Sequence, residues 1–217
     1  PSVEKTNARH TLKHNTLHKK SVPFCGTLFV SNFGLLKTIS MKNILLLVLL
    51  LTIGNVNSQE INWMTMNEAI AAQKKNPKKI FMDVYTTWCG PCKMLDKNTF
   101  SDKDVIEYVN KNYYAVKFNA EGTEEVDYQD FVYTNPNYDP ARKGRNSQHL
   151  FAHALKVNAY PSIVFFKENG DLIQAVPGYR TPPQLEIFLK MIHTDDYLEV
   201  TTAEAWEEYQ KNFKPTF

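Results

Sequence analysis

The chain has 217 residues, with 25 Lys+Arg against 23 Asp+Glu and a formal charge of +2. That near-balance excludes a nucleic-acid binder that relies on bulk positive charge, and 43% apolar with 22% charged residues excludes wholesale disorder. With 3 Cys, 8 Gly and 11 Pro, the chain is neither a disulfide-dense scaffold, nor a four-thiolate metal site, nor collagenous.

The charge is unevenly spread. Residues 1–58 hold seven basic residues (Lys5, Arg9, Lys13, Lys19, Lys20, Lys37, Lys42) against Glu4, a net of +6. The remainder holds 18 basic and 22 acidic residues, a net of −4. Near the division, Met41-Lys42-Asn43 is a short positive start, Ile44–Gly54 is an apolar run, and small or short side chains follow at Val56 and Ser58. This three-part layout reads as a secretory signal peptide over 41–58, cleaved after Ser58. A membrane anchor is the rival, but the run is about half the roughly 20 apolar residues that a span requires. Residues 1–40 show no sustained period and read as upstream sequence outside the mature protein, with Met41 as the start. Cys25 falls with them, and no stable membrane span is expected after processing.

In the remaining 59–217, Thr65-Met66-Asn67-Glu68 has capping-box spacing and opens a helix to about Asn76. Lys79–Tyr85 is apolar and of strand length, so it reads as a central strand buried on both faces. Thr86 to Lys93 (TTWCGPCK) then leads a helix to about Phe100. Ser101 is placed as the cap of a second helix bearing Val105, Ile106 and Val109. Tyr113–Ala120 alternates like a strand. Residues 121–146 are polar and too long for an ordinary connection. They contain Tyr128, Phe131, Tyr133 and Tyr138 and read as a packed lid or a partner-recognition loop. Ser147–Val157 reads as a helix and Ser162–Phe166 as a strand. Asn169-Gly170 is a hairpin turn with Leu172–Val176 as the return strand. Helices follow over Thr181–His193 and about 202–213, the latter with capping-box spacing from Thr201 to Glu204. This order predicts an α/β three-layer fold, with parallel first strands and an antiparallel last pair.

Cys89 and Cys92 follow a buried strand and open a helix. Unpaired N–H groups and a partial positive charge at that end stabilise a thiolate below the free thiol pKa of about 8.5. The first cysteine of such a pair is the exposed one, so Cys89 is the expected nucleophile. Cys92, one turn in, can attack a mixed disulfide on Cys89. Pro91 fits a first turn without its N–H, and Gly90 leaves the approach to the sulfur uncrowded. Zinc binding lacks a second cysteine pair. His149 and His153 share a helix face but lack the intervening carboxylate of a metalloprotease motif, so no metal site is expected. A purely structural disulfide is disfavoured because so short a loop constrains the unfolded chain little.

The stretch Trp88-Cys89-Gly90-Pro91-Cys92-Lys93 resembles the active-site signature of the thioredoxin family. Further motifs follow at matching intervals: Asp83 six residues before Cys89, Lys117 on the neighbouring strand, Tyr160-Pro161 before the Ser162–Phe166 strand, Gly178, and Gln184-Leu185 on the last family helix. The resemblance spans roughly 65–193. It implies a thioredoxin-like fold with a central mixed sheet, an inserted loop before the cis-proline, and an added C-terminal helix. It implies that Asp83 accepts a proton from Cys92, with Lys117 as its charge partner, although a purely structural Asp83–Lys117 pair is the alternative. It also implies that Pro161 is cis and that Trp88, Gly90, Pro91, Tyr160, Pro161 and Gly178 line the substrate groove, where the Tyr160 backbone pairs with an extended substrate strand. The bulk of Tyr160 departs from the smaller residue usual before that proline. The function implied is thiol–disulfide exchange with protein substrates, in the reducing direction from the Gly-Pro dipeptide. No bound cofactor is expected, the location is secreted and periplasmic, and a membrane electron donor is an implied partner. A binding or chaperone module with incidental redox turnover is the alternative.

Overall fold

The computed structural model describes residues 60–217. The signal-peptide reading of 41–58, residues 1–40 and Cys25 lie outside them. No helix among the described residues is long and apolar enough to cross a membrane.

A two-residue strand, β1 (Trp63–Met64), precedes α1 (Met66–Gln73). Thr65 caps α1 with the expected reciprocal box: its hydroxyl accepts from Glu68 N–H, and Glu68 accepts from Thr65 N–H at 2.8 Å. Then come β2 (Ile80–Tyr85), α2 (Gly90–Asn98), α3 (Lys103–Asn112) and β3 (Tyr114–Asn119). The cap of α3 is Asp102, not Ser101. Its Oδ1 accepts from the N–H groups of Asp104 and Val105, as a carboxylate one residue nearer the helix can do.

The 121–146 segment holds a hairpin that the polar composition concealed, β4 (Val126–Tyr128) with β5 (Phe131–Tyr133). The expected helix over Ser147–Val157 shrinks to α4 (Leu150–Ala154). Its start is fixed by the buried imidazole of His149, whose Nδ1 accepts from Phe151 N–H at 3.0 Å while Nε2–H donates to Glu124 C=O at 2.6 Å. Burial holds this imidazole below its ordinary pKa, against the pull of the Glu124 carbonyl. His149 therefore caps the helix rather than sharing a face with His153.

Strands β6 (Ser162–Phe166) and β7 (Leu172–Pro177) form the predicted hairpin, followed by α5 (Pro182–His193), a 3-10 turn (Asp196–Leu198) and α6 (Ala203–Asn212). Thr202 caps α6 through Ala205 N–H, one residue later than the expected Thr201.

The sheet order is β1-β3-β2-β6-β7. Strands β1, β3 and β2 run parallel; β6 is antiparallel to β2 and to β7. Period-2 alternation divides the core. Phe81, Leu95, Phe165, Leu185 and Leu189 pack on one face; Met82, Val84, Val116, Phe118, Phe151 and Val164 pack on the other. By the same period Asp83 falls on the face of Phe81, towards the layer containing Leu95 of α2. The β2–β3 register sets Lys117 directly beside it. The insert does cover core: Tyr128 is buried against Phe151 and Phe166, and its hydroxyl donates to Gly170 C=O at 3.0 Å. Phe131, at the hairpin turn, is 53% exposed.

Candidate active site

The site begins where β2 ends. Cys89 is the N-cap of α2, and its sulfur accepts from Cys92 N–H at 3.1 Å. Pro91 occupies the first turn, where its missing N–H removes no helical bond. The two sulfurs are joined, with 5.3 Å between Cα atoms, so the structure is the oxidised state. The expected exposure of Cys89 is not found. It is 2% exposed and Cys92 is 3%. Gly90 and Pro91, between the two cysteines, are exposed. Space beside Gly90 is open: a Cβ added there would meet nothing within 4 Å.

Asp83 is 1% exposed. Its Oδ2 lies 2.8 Å from Lys117 Nζ, while Oδ1 has no hydrogen-bond partner among the described residues. Burial raises this carboxyl from 3.8 to about 6; Lys117 pulls it down and Asp96 adds repulsion. For Lys117, burial acts against the charged form, but the carboxylates of Asp83 and Asp96 outweigh it and raise the pKa. Lys117 also contacts Asp96 on α2, one turn after Cys92. Its ammonium sits about 5 Å from the rings of Trp63 (4.9 Å), Tyr85 (5.1 Å) and Phe100 (5.2 Å). A surface recess of about 440 Å³, lined in part by Glu60, Trp63, Asp96 and Lys117, opens on the Lys117 side of the pair, while Asp83 stays buried behind it.

The Tyr160–Pro161 peptide bond is cis. Pro161 C=O accepts from Gly178 N–H at 2.7 Å, and Gly178 has φ of +93°, a left-handed backbone that suits glycine. Thr99 at the end of α2 donates to Arg180 C=O at 2.6 Å, so the Gly178 turn is tied to the dithiol helix. The Tyr160 ring meets Trp88 edge-on at 6.1 Å, and its hydroxyl accepts from Gln148 at 3.0 Å. Among the described hydrogen bonds, none uses the Tyr160 backbone N–H or C=O. The structure thus brings Trp88 to Tyr160, Pro161 to Gly178, and Asp83 to Lys117.

Sequence reasoning missed Asp96 and a bracket around Trp88. Trp88 Nε1–H donates to Glu121 Oε2 at 2.8 Å, and the same oxygen accepts from Asn146 N–H at 2.8 Å. The Arg145 guanidinium lies 4.1 Å over the Trp88 ring. Spacing offered no signal for these contacts, which join positions 25, 33 and 57 residues apart.

A β-α-α-β unit with an antiparallel hairpin, a dithiol at a helix N-terminus, and a cis-proline preceded by a tyrosine that meets the Trp88 ring define a thioredoxin-like protein. Residues 66–193 match the thioredoxin-like domain family, and the chain belongs to it. Over 115 residues, 53% of this chain, it is 28% identical to the thiol:disulfide interchange protein DsbD of Pectobacterium atrosepticum, covering 15% of that protein. Over 118 residues it is 29% identical to the thiol-disulfide oxidoreductase ResA of Oceanobacillus iheyensis, covering 57% of it. The match therefore spans less than two thirds of either curated relative. A solved thioredoxin-fold protein from Helicobacter pylori superposes with a TM-score of 0.49 at 17% identity, covering 72% of this chain and 87% of that one.

Proposed function

We propose that this protein exchanges thiols and disulfides with protein substrates and acts as a reductant. The observation that carries this reading is the Cys89–Cys92 pair, close enough to bond and held at the N-terminus of α2. In the reduced protein the helix end stabilises the Cys89 thiolate. That thiolate attacks one sulfur of a substrate disulfide. The substrate S–S bond breaks, a mixed disulfide forms, and the other substrate sulfur leaves as a thiolate. Cys92, once deprotonated, attacks Cys89 Sγ. The intramolecular disulfide closes and the second substrate sulfur departs. The substrate gains two electrons and two protons; the protein loses them. The dithiol itself carries the electrons, without a bound cofactor.

Asp83 is the proton acceptor for Cys92 in this scheme. A buried carboxyl titrating at about 6 is better matched to that task near neutral pH than one at its ordinary value. Lys117 keeps it from rising further. Trp88, Gly90, Pro91, Tyr160, Pro161 and Gly178 form the groove, where the unengaged backbone of Tyr160 pairs with an extended substrate segment. The reducing direction is supported by the Gly90-Pro91 dipeptide. The signal-like segment 41–58 supports secretion to the periplasm, where a membrane dithiol donor would return the electrons. A Cys92→Ser variant tests the exchange. It should accumulate mixed disulfides on Cys89 that dithiothreitol releases, whereas Cys89→Ser should accumulate none. Equal recovery of partners by Cys92→Ser and by the double serine variant would favour a binding module instead.

A further inference from the structure

The insert ends beside the dithiol in a cationic loop. Residues 139–146 close on themselves: Asp139 N–H donates to Asn146 Oδ1 at 3.0 Å, and Asn146 Nδ2–H returns to Asp139 C=O at 2.8 Å. Asn146 N–H is held by Glu121, and Ser147 by Asn135 Oδ1 at 2.7 Å. The loop is therefore a built surface. It carries Arg142, Lys143 and Arg145, all exposed, and none has an ion-pair partner among the described residues. Arg145 fixes its position relative to the chemistry, because its guanidinium lies 4.1 Å over Trp88, the residue preceding Cys89. Of the nearby carboxylates, Glu121 already commits Oε2 to Trp88 and Asn146, and Asp139 Oδ1 accepts from Ala141 N–H at 2.9 Å. Lys93 is exposed and follows Cys92 directly.

We infer that this cationic rim is a specificity element, selecting polypeptide substrates whose disulfide is flanked by acidic side chains. The inference rests on the exchange reading above and adds the substrate class. A substrate lying across Trp88 meets the Arg145 guanidinium stacked on that ring. Acidic groups there meet unpaired cations at a partly dehydrated aromatic wall, while basic groups meet like charge. Exposed charge pairs are individually weak, but several act together during encounter and are screened by salt.

The test uses the reduced full chain and three disulfide peptides that differ only in acidic, neutral or basic flanks. Reduction rates are measured at low and high salt for the wild type and for the Arg142→Gln/Lys143→Gln/Arg145→Gln variant. The readout is the ratio of acidic to neutral rates within each protein, so a general change in activity cancels. The wild-type ratio should be on the order of threefold to tenfold at low salt. It should fall towards one in the variant and at high salt. A ratio near one in the wild type, a ratio unchanged in the variant, or faster reduction of the basic peptide would overturn the inference. Failure to reduce any peptide would overturn the exchange reading beneath it.

Discussion

Replacing Asp83 by Asn should stabilise the oxidised protein, and only above acidic pH. The Asp83 carboxyl titrates at about 6 in the fold against 3.8 as an ordinary carboxyl. Between those values the folded protein holds a proton that the unfolded chain has released, so the contribution of Asp83 to stability falls as pH rises from about 4 to 6 and is level above that. Two units of pKa correspond to about 3 kcal/mol. Asparagine has the same shape, carries no charge to desolvate, and leaves Lys117 its contact with Asp96. Urea unfolding of both proteins should therefore show the variant's advantage growing by about 3 kcal/mol from pH 4 to pH 7. Other titrating groups cancel in the difference. A difference that stays flat across that range, or shrinks, would refute the account of Asp83 as a carboxyl whose pKa burial raises.

Lys117→Gln removes the cation from the same pair. At pH 8 and above it leaves Asp83 buried and unpaired, and the loss should be about 3 kcal/mol; because the carboxyl then titrates above 6, the loss should already ease as the pH falls towards 6, and the same unfolding series reads it. Gly178→Ala places a side chain at φ of +93° and against Arg180 Nη1 at 3.3 Å. The backbone strain should cost roughly 1–2 kcal/mol, seen as a lower thermal midpoint with a disulfide that still forms.

Much of the fold could be read from local pattern because local pattern is what determines it. After Ser162 the strand Ile163–Phe166 is wholly apolar and buried on both faces, and Asn169-Gly170 supplies the turn, so strand, turn and partner all announce themselves. Asp83 and Lys117 were picked out by the thioredoxin resemblance, and the parallel register brings them together. The misses have other causes. Trp63–Met64 is too short to show a period and is a strand only because β3 pairs with it. The β4–β5 hairpin lies in a polar stretch, and its turn uses Gln129 and Asp130 at positive φ rather than glycine. Helix α4 starts late because a buried histidine acts as its cap. The dithiol was legible from four consecutive residues, whereas the bracket of Glu121, Arg145 and Asn146 around Trp88 exists only in three dimensions.

The account depends most on Cys89 and Cys92 forming a reversible couple on the reducing side. The direct measurement equilibrates the full chain with reduced and oxidised glutathione. The redox state is read on the peptide that contains Cys89 and Cys92, so that Cys25 does not contribute. The account predicts a two-electron transition near the thioredoxin range, about −270 mV. A potential near the oxidising end, about −120 mV, would contradict the reductant assignment. A pair that never equilibrates with glutathione would contradict exchange itself.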